Sequence, residues 1–256
     1  MEVFTYDKKT IFCYLLYKES NRLDCFFYTI GYIIGCDESM NERVVVYWMI
    51  KWIVFDMMGV IFTVGDDTND LLVPYIWRKN AGIPRKFIVD TYMDASMGCI
   101  SSEEFWRTIN VCEPGKEKEM SRDYLDTCLT LNETFLSAAK KLKGKYKLAI
   151  LSNDVSDWST YLRKKYELDD FIEFSVISGD VNLRKPDQDI YRLAIERTGG
   201  PPRECLFIDD RDKNLIAASK EEMNVLKFSK DGESNPENII TIADFGELEK
   251  VLEKYR

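Results

Sequence analysis

Histidine does not occur in the 256 residues of this chain. Its absence excludes histidine triads, phosphohistidine chemistry and zinc sites with imidazole ligands. Acid–base and nucleophilic work is left to carboxylates, lysine, hydroxyls, tyrosine or thiols. Paired cysteines are missing as well. The seven, at 13, 25, 36, 99, 112, 128 and 205, include no CxxC spacing and are odd in number. This pattern predicts reduced thiols in a cytoplasmic protein, with neither a disulfide framework nor a thiolate metal site. Positive charge is in deficit, 35 Lys and Arg against 44 Asp and Glu, giving a net charge of −9. That balance argues against nucleic acid or an anionic membrane as partner, while a local basic site on an acidic protein still suits a phosphorylated small molecule. Long apolar runs are lacking: residues 25–36 are too short to span a bilayer, and no signal-peptide order of basic start, apolar centre and small residues is present.

What the chain does have is centred on residues 51–66, KWIVFDMMGVIFTVGD. Trp52, Ile53, Val54 and Phe55 form a bulky apolar run that predicts a strand buried on both faces of a parallel sheet. The run ends in Asp56, with Gly59 close behind. The carboxyl ends of such strands are where ligands bind in open α/β sheets, so an acid there is placed for chemistry, although a turn or cap is its commoner use.

Residues 1–48 differ from the rest, being crowded with aromatics and without a clean period. They are expected to be an extension, either a docking segment or upstream sequence preceding a true start at Met49; the second reading is preferred. From 67 to 143 the pattern is helical, with Asp67, Thr68 and Asp70 as caps of a first helix and a break at Gly82-Ile83-Pro84. A second helix is expected over about 84–97, a capping box at Ser101-Ser-Glu-Glu104 opens a third, and Asn132 caps a fourth. This reads as a helical insert. Strands are then expected at 147–151, 174–178, 205–208 and 225–228, alternating with helices, the last of them over 245–255. The alternation predicts an α/β fold, a doubly wound, Rossmann-like parallel sheet built from 49–66 and 144–256, with a helical-bundle cap over 67–143.

The strand ends carry Asp56, then Ser152-Asn153, then Lys185-Pro186, then Asp209-Asp210, in the motifs FDMMGVI, ILSND, LRKPD and LFIDDRDKN. In that order they resemble the haloacid dehalogenase-like hydrolases, phosphatase type, over about residues 49–230, with a helical cap inserted after the first motif and GCISSEEFW (98–106) where relatives carry a similar segment. The resemblance implies a Mg²⁺-dependent hydrolase of a small phosphorylated metabolite, working through an aspartyl-phosphate on Asp56. A carboxylate attacks phosphorus only where the approaching dianion is neutralised, which calls for concentrated positive charge. Asp56 and Asp210 are the expected Mg²⁺ ligands, and the resemblance adds the backbone carbonyl of Met58. Asp209 would orient waters or Lys185, Lys185 would supply a fixed cation, and Ser152 and Asn153 would hold phosphoryl oxygens.

Each residue also has a plainer use. Ser152 and Asn153 suit a helix cap, as do Ser156 and Asp157 beyond them; Lys185 suits a solvated loop, and Asp209-Asp210 a helix N-terminus. Asp212 and Asn214 are assigned to capping, and Asp154 is left unassigned. Trp77, Tyr92, Phe105 and Trp106 are the candidates for reaching down from the insert, each also fitting its core. One position departs from the resemblance: the second Asp usual two residues after the nucleophile is Met58. Losing that acid–base is worth on the order of 10²–10⁴ in rate, and predicts rates that depend steeply on the leaving group unless another residue supplies the proton. A carbon–halogen hydrolase, or a non-catalytic phosphate-binding relative, are the alternatives that Met58 leaves open.

Overall fold

The computed structural model describes residues 5–6, 44–45, 49–62, 66–229 and 239–255. Thr5–Tyr6 and Val44–Val45 pair antiparallel in a unit of their own. The rest of the expected extension over 1–48 lies outside the described residues.

The main unit is a six-stranded sheet in which every paired neighbour is parallel. Its strands are β1 (Trp52–Phe55), β2 (Lys147–Ser152), β3 (Ile172–Ile177), β4 (Cys205–Asp209), β5 (Asn224–Phe228) and β6 (Thr241–Ile242), ordered β3-β2-β1-β4-β5-β6. The predicted doubly wound fold is therefore present. β1 is central and wholly buried, as its apolar run requires. Alternate residues of β1 serve opposite faces. Trp52 and Val54 join a core with Ile190, Tyr191 and Ala194 of α8 (Gln188–Thr198), while Phe55 packs edge-on against Phe135 and Phe245 on the other side. The chain reverses its winding direction between β1 and β4, and Phe55 pairs with Ile208 there, so Asp56 emerges beside Asp209. Sheets of this kind bind ligands at that crevice.

Between β1 and β2 the chain forms a π-helical turn at Thr68–Leu72, then α1 (Val73–Lys79), α2 (Arg85–Ser96), α3 (Ser102–Ile109), α4 (Glu117–Cys128) and α5 (Glu133–Leu142). The expected capping box at Ser101 is formed, and Asn132 caps α5. Asp67 does not cap: Asp66 accepts from the Asn69 amide (3.1 Å) instead, and Asp67 turns inward. Helix α4 was not among the expected elements. Since α5 lays Phe135 on Phe55 of the sheet, it packs with the core layer. We propose that the insert ends near residue 131, short of the 143 expected.

The insert meets the sheet through the loop between α2 and α3. The Ser178 hydroxyl donates to Ser96 O (2.5 Å), and Asn182 Nδ2 donates to Met97 O (2.7 Å). Gly98 has φ +73°, and a Cβ there would stand 2.5 Å from Gly179 O, so this approach admits only glycine. A second tie lies deeper. Ser121 of α4 accepts from Trp106 Nε1 of α3 (2.8 Å) and from Trp158 Nε1 (2.9 Å) of α6 (Ser156–Lys165), the helix after β2. No helix among the described residues is long and apolar enough to cross a membrane, and the described cysteines 99, 112, 128 and 205 are free thiols.

Candidate active site

At the carboxyl end of β1, Asp56 is 5% exposed. Its Oδ1 accepts from the Met57 amide (2.7 Å) and pairs with Lys185 Nζ at 2.9 Å. Lys185, itself buried, also meets Asp209 Oδ2 at 2.7 Å. Burial disfavours the ammonium, but Asp209 and Asp56 outweigh it and hold the Lys185 pKa above its ordinary value. The solvated-loop reading of Lys185 is thereby corrected.

Asp209 is fully occupied. Besides Lys185 it accepts from the Arg211 amide (2.8 Å) and from Asn214 Nδ2, which stands 3.0 Å from each carboxylate oxygen. Asn214 therefore orients this acid and is not a cap, contrary to its assignment; α9 (Asp212–Lys220) begins without a side-chain cap. Asp212 instead pairs with Lys227 at 2.9 Å. Asp210 behaves differently: its Oδ1 is buried and has no hydrogen-bond partner. Gly59 makes room for it, since at φ +83° a Cβ would lie 2.5 Å from Asp210 Oδ2.

Ser152 and Asn153 are not caps either, because α6 starts after Val155 with no side-chain cap. Asn153 clamps the Lys185 backbone, donating to its carbonyl (3.0 Å) and accepting from its amide (2.8 Å). That leaves one amide hydrogen for anything else. Ser152 Oγ is buried beside Asp56 and makes no hydrogen bond of normal geometry, which leaves its hydroxyl available to a ligand. Asp154 is buried too, its Oδ1 accepting from Val155 N (2.7 Å) and its Oδ2 orphaned.

Carboxylate oxygens of Asp56, Asp209 and Asp210 lie within 4.8 Å of one another. Burial, opposed by Lys185, lifts the Asp56 pKa to about 6, and burial together with the charges of Asp56 and Asp209 lifts that of Asp210 to about 8. These donors fit a hard divalent cation: Asp56 and Asp210 have oxygens to give, whereas Asp209 has spent its own. The shifts carry a definite sign for stability. An acid whose folded pKa is raised stabilises the fold fully below the unfolded value near 3.8, and this contribution is lost as pH rises through the folded values of about 6 and about 8. In chelator, the melting temperature is expected to fall between pH 5 and pH 8, and the increment added by Mg²⁺ to grow over the same interval. Calorimetry at fixed ionic strength checks this; a Mg²⁺ increment independent of pH would contradict it.

A small cavity of about 20 Å³ adjoins Asp56 and is lined also by Met58, Asp67, Thr68, Tyr92, Asn153, Arg184, Arg211 and Asn214. Of the aromatics expected to reach down from the insert, only Tyr92 lines it. Phe105 and Trp106 are buried among Trp158 and Tyr124, while Trp77 is 40% exposed and donates to Ile83 O. Asp67, Thr68, Arg184 and Arg211 were not foreseen. Arg211 stands inside the LFIDDRDKN motif and could have been noticed as a cation beside Asp210. Asp67 gave no such signal, since only folding brings it across the site.

Residues 50–220 match the haloacid dehalogenase-like hydrolase family. Among its curated relatives, the pyrimidine 5'-nucleotidase YjjG of Escherichia coli (strain K12) is 24% identical over 177 residues, 64% of this chain and 78% of that protein. The (S)-2-haloacid dehalogenase 4A of Burkholderia cepacia is 31% identical over 94 residues, 36% of this chain and 41% of that one. Among solved structures, an enzyme of the same family from Bacteroides thetaiotaomicron, in complex with magnesium and inorganic phosphate, superposes with a TM-score of 0.62 at 22% identity, covering 73% of this chain and 98% of the other.

Proposed function

Starting from a chain that belongs to the haloacid dehalogenase-like hydrolases, we propose that it is a Mg²⁺-dependent phosphatase of small phosphorylated metabolites, with Asp56 as nucleophile. One observation carries this reading. Oxygens of three carboxylates stand within 4.8 Å of one another, Asp56 and Asp209 are paired with the buried ammonium of Lys185, and an oxygen of Asp210 has no partner. A displacement of halide gains nothing from extra negative charge beside its nucleophile, whereas a bound divalent cation would relieve it. Asp56, Asp210 and the Met58 carbonyl would hold Mg²⁺, which when bound would neutralise phosphoryl charge.

The remaining work falls to side chains. Lys185 holds Asp56 ionised and fixes the oxygen that attacks. The Ser152 hydroxyl and the free hydrogen of the Asn153 amide donate to phosphoryl oxygens, and Arg184 and Arg211 bring positive charge to the cavity wall. Their combined role is electrostatic preorganisation, the larger part of catalysis of phosphoryl transfer. A cavity of about 20 Å³ admits a single water-sized guest. That is narrower than a phosphorylated metabolite, so a separation of the insert from the sheet would widen the way to Asp56, and closure would then exclude bulk water. Substrates of the kind borne in the name of the Escherichia coli relative, pyrimidine 5'-nucleotides, are the first class to assay.

The test is turnover of an aryl phosphate and a panel of phosphorylated metabolites with Mg²⁺ and with excess chelator. Chelation is expected to abolish turnover, and Asp210→Asn to remove most of it. Full activity in chelator would overturn the metal-dependent phosphatase and favour the halide reaction.

A further inference from the structure

An in-line displacement by Asp56 needs a proton on the departing oxygen where that oxygen is a poor leaving group such as an alkoxide, and Met58 has none to give. The cavity wall holds another carboxyl, Asp67. It lies 11 residues beyond Asp56 where the chain enters the insert, and it is 7% exposed. Its Oδ2 accepts from the Tyr92 hydroxyl (3.3 Å), and its Oδ1 stands 3.6 Å from the Arg211 guanidinium. Nucleophile and leaving group sit on opposite sides of the phosphorus in such a reaction. With Asp56 on the sheet side, the leaving oxygen faces the insert, the side from which Asp67 and Tyr92 enter.

We propose that Asp67 is the general acid–base of this site, in place of the acid that Met58 lacks; this rests on the phosphatase reading above. As Asp56 Oδ bonds to phosphorus, the phosphorus–oxygen bond to the leaving group breaks, its electron pair stays on that oxygen, and the Asp67 proton passes to it. In the second half, the Asp67 carboxylate takes a proton from water as the water oxygen bonds to phosphorus. The bond to Asp56 breaks, releasing inorganic phosphate, and both acids return to their starting states. Asp67 is faced by Arg211, Asp66, Tyr92, Tyr124 and Asp154. Burial raises its hold on the proton and Arg211 opposes, which suits a group that must both give and take. Asp154, the other buried carboxyl nearby, does not line the cavity.

The experiment is a series of phosphate monoesters, from p-nitrophenyl to simple alkyl, with Mg²⁺, on the wild type, Asp67→Asn and the double variant Met58→Asp/Asp67→Asn. In the wild type, kcat/KM is expected to vary little with leaving-group acidity. Asp67→Asn should cost about 10²–10⁴ on alkyl esters and less than about tenfold on the nitrophenyl ester, and should flatten one limb of the pH profile. Slowed dephosphorylation should also produce a burst of nitrophenolate, and the double variant should recover alkyl turnover. Equal losses across the series, or none, would reduce Asp67 to a structural residue and overturn the proposal. Should Asp67→Asn not fold, the wild type decides: a steep leaving-group dependence, as Met58 alone predicts, overturns it. A wild type that hydrolyses no ester of the series overturns the phosphatase reading itself, and a wild type that hydrolyses them while Asp67→Asn loses evenly overturns only this inference.

Discussion

Asp56→Asn is expected to hydrolyse phosphomonoesters on the order of 10⁴-fold more slowly than the wild type or worse, while remaining folded. The amide keeps the size of the carboxylate and its bond from the Met57 amide (2.7 Å in the wild type), so the loss is chemical. An amide cannot form the acyl phosphate that a carboxylate forms, so the covalent route is closed and not merely slowed. A trapping experiment gives the same answer independently. Acid-quenched wild type should retain labelled phosphate on the protein, and Asp56→Asn should retain none. Turnover by the variant within about tenfold of wild type, in a preparation free of host phosphatase, would exclude Asp56 as the attacking group.

Lys185→Met should damage both activity and the fold. Removing one partner of a buried ion pair costs about 3–5 kcal/mol, because the charge left behind is neither solvated nor paired. Here two acids are left, Asp56 at 2.9 Å and Asp209 at 2.7 Å from the missing ammonium. A fall in Tm on the order of 10 °C is expected at neutral pH in chelator. Since the uncompensated Asp56 can take up a proton, the deficit should shrink as pH is lowered towards 5, and Mg²⁺ should restore part of it. Activity should drop by about 10²–10³ or more even where the variant is folded, as for removal of one preorganised charge donor. A variant melting with the wild type at neutral pH would mean that the ammonium is not what holds the two acids.

The framework of this protein was legible in its residues because its strands are buried on both faces and end in unusual chemistry. WIVF followed by Asp56, and CLFI followed by two acids, can be read without a partner in view, and the fold brings them side by side at the switch in strand order. The insert was harder. Helix α4, EKEMSRDYLDTC, has few apolar residues, and its buried face is completed by Ser121, whose hydroxyl serves two indoles. A serine in that role looks like a solvent position until both indoles are in place. Asn214 departs from the expected cap for the same kind of reason: asparagine at a helix start is commonly a local cap, and its tie to Asp209 is a tertiary one. The two-residue β6 falls below the length at which any period can be seen. Asp67 is the clearest case of function invisible in one dimension, since its neighbours Tyr92 and Arg211 lie 25 and 144 positions further along the chain.

The hydroxyl of Ser121 shared by Trp106 and Trp158 has an optical corollary. One indole rides on the insert and the other on the sheet's own helix, with ring centroids 5.9 Å apart. Any separation of the two layers must break at least one of these N–H bonds and let water reach a ring that is now dry. The protein thus carries a fluorophore pair at the joint, and a separation of the layers would show as a red shift of their share of the emission from the chain's five tryptophans.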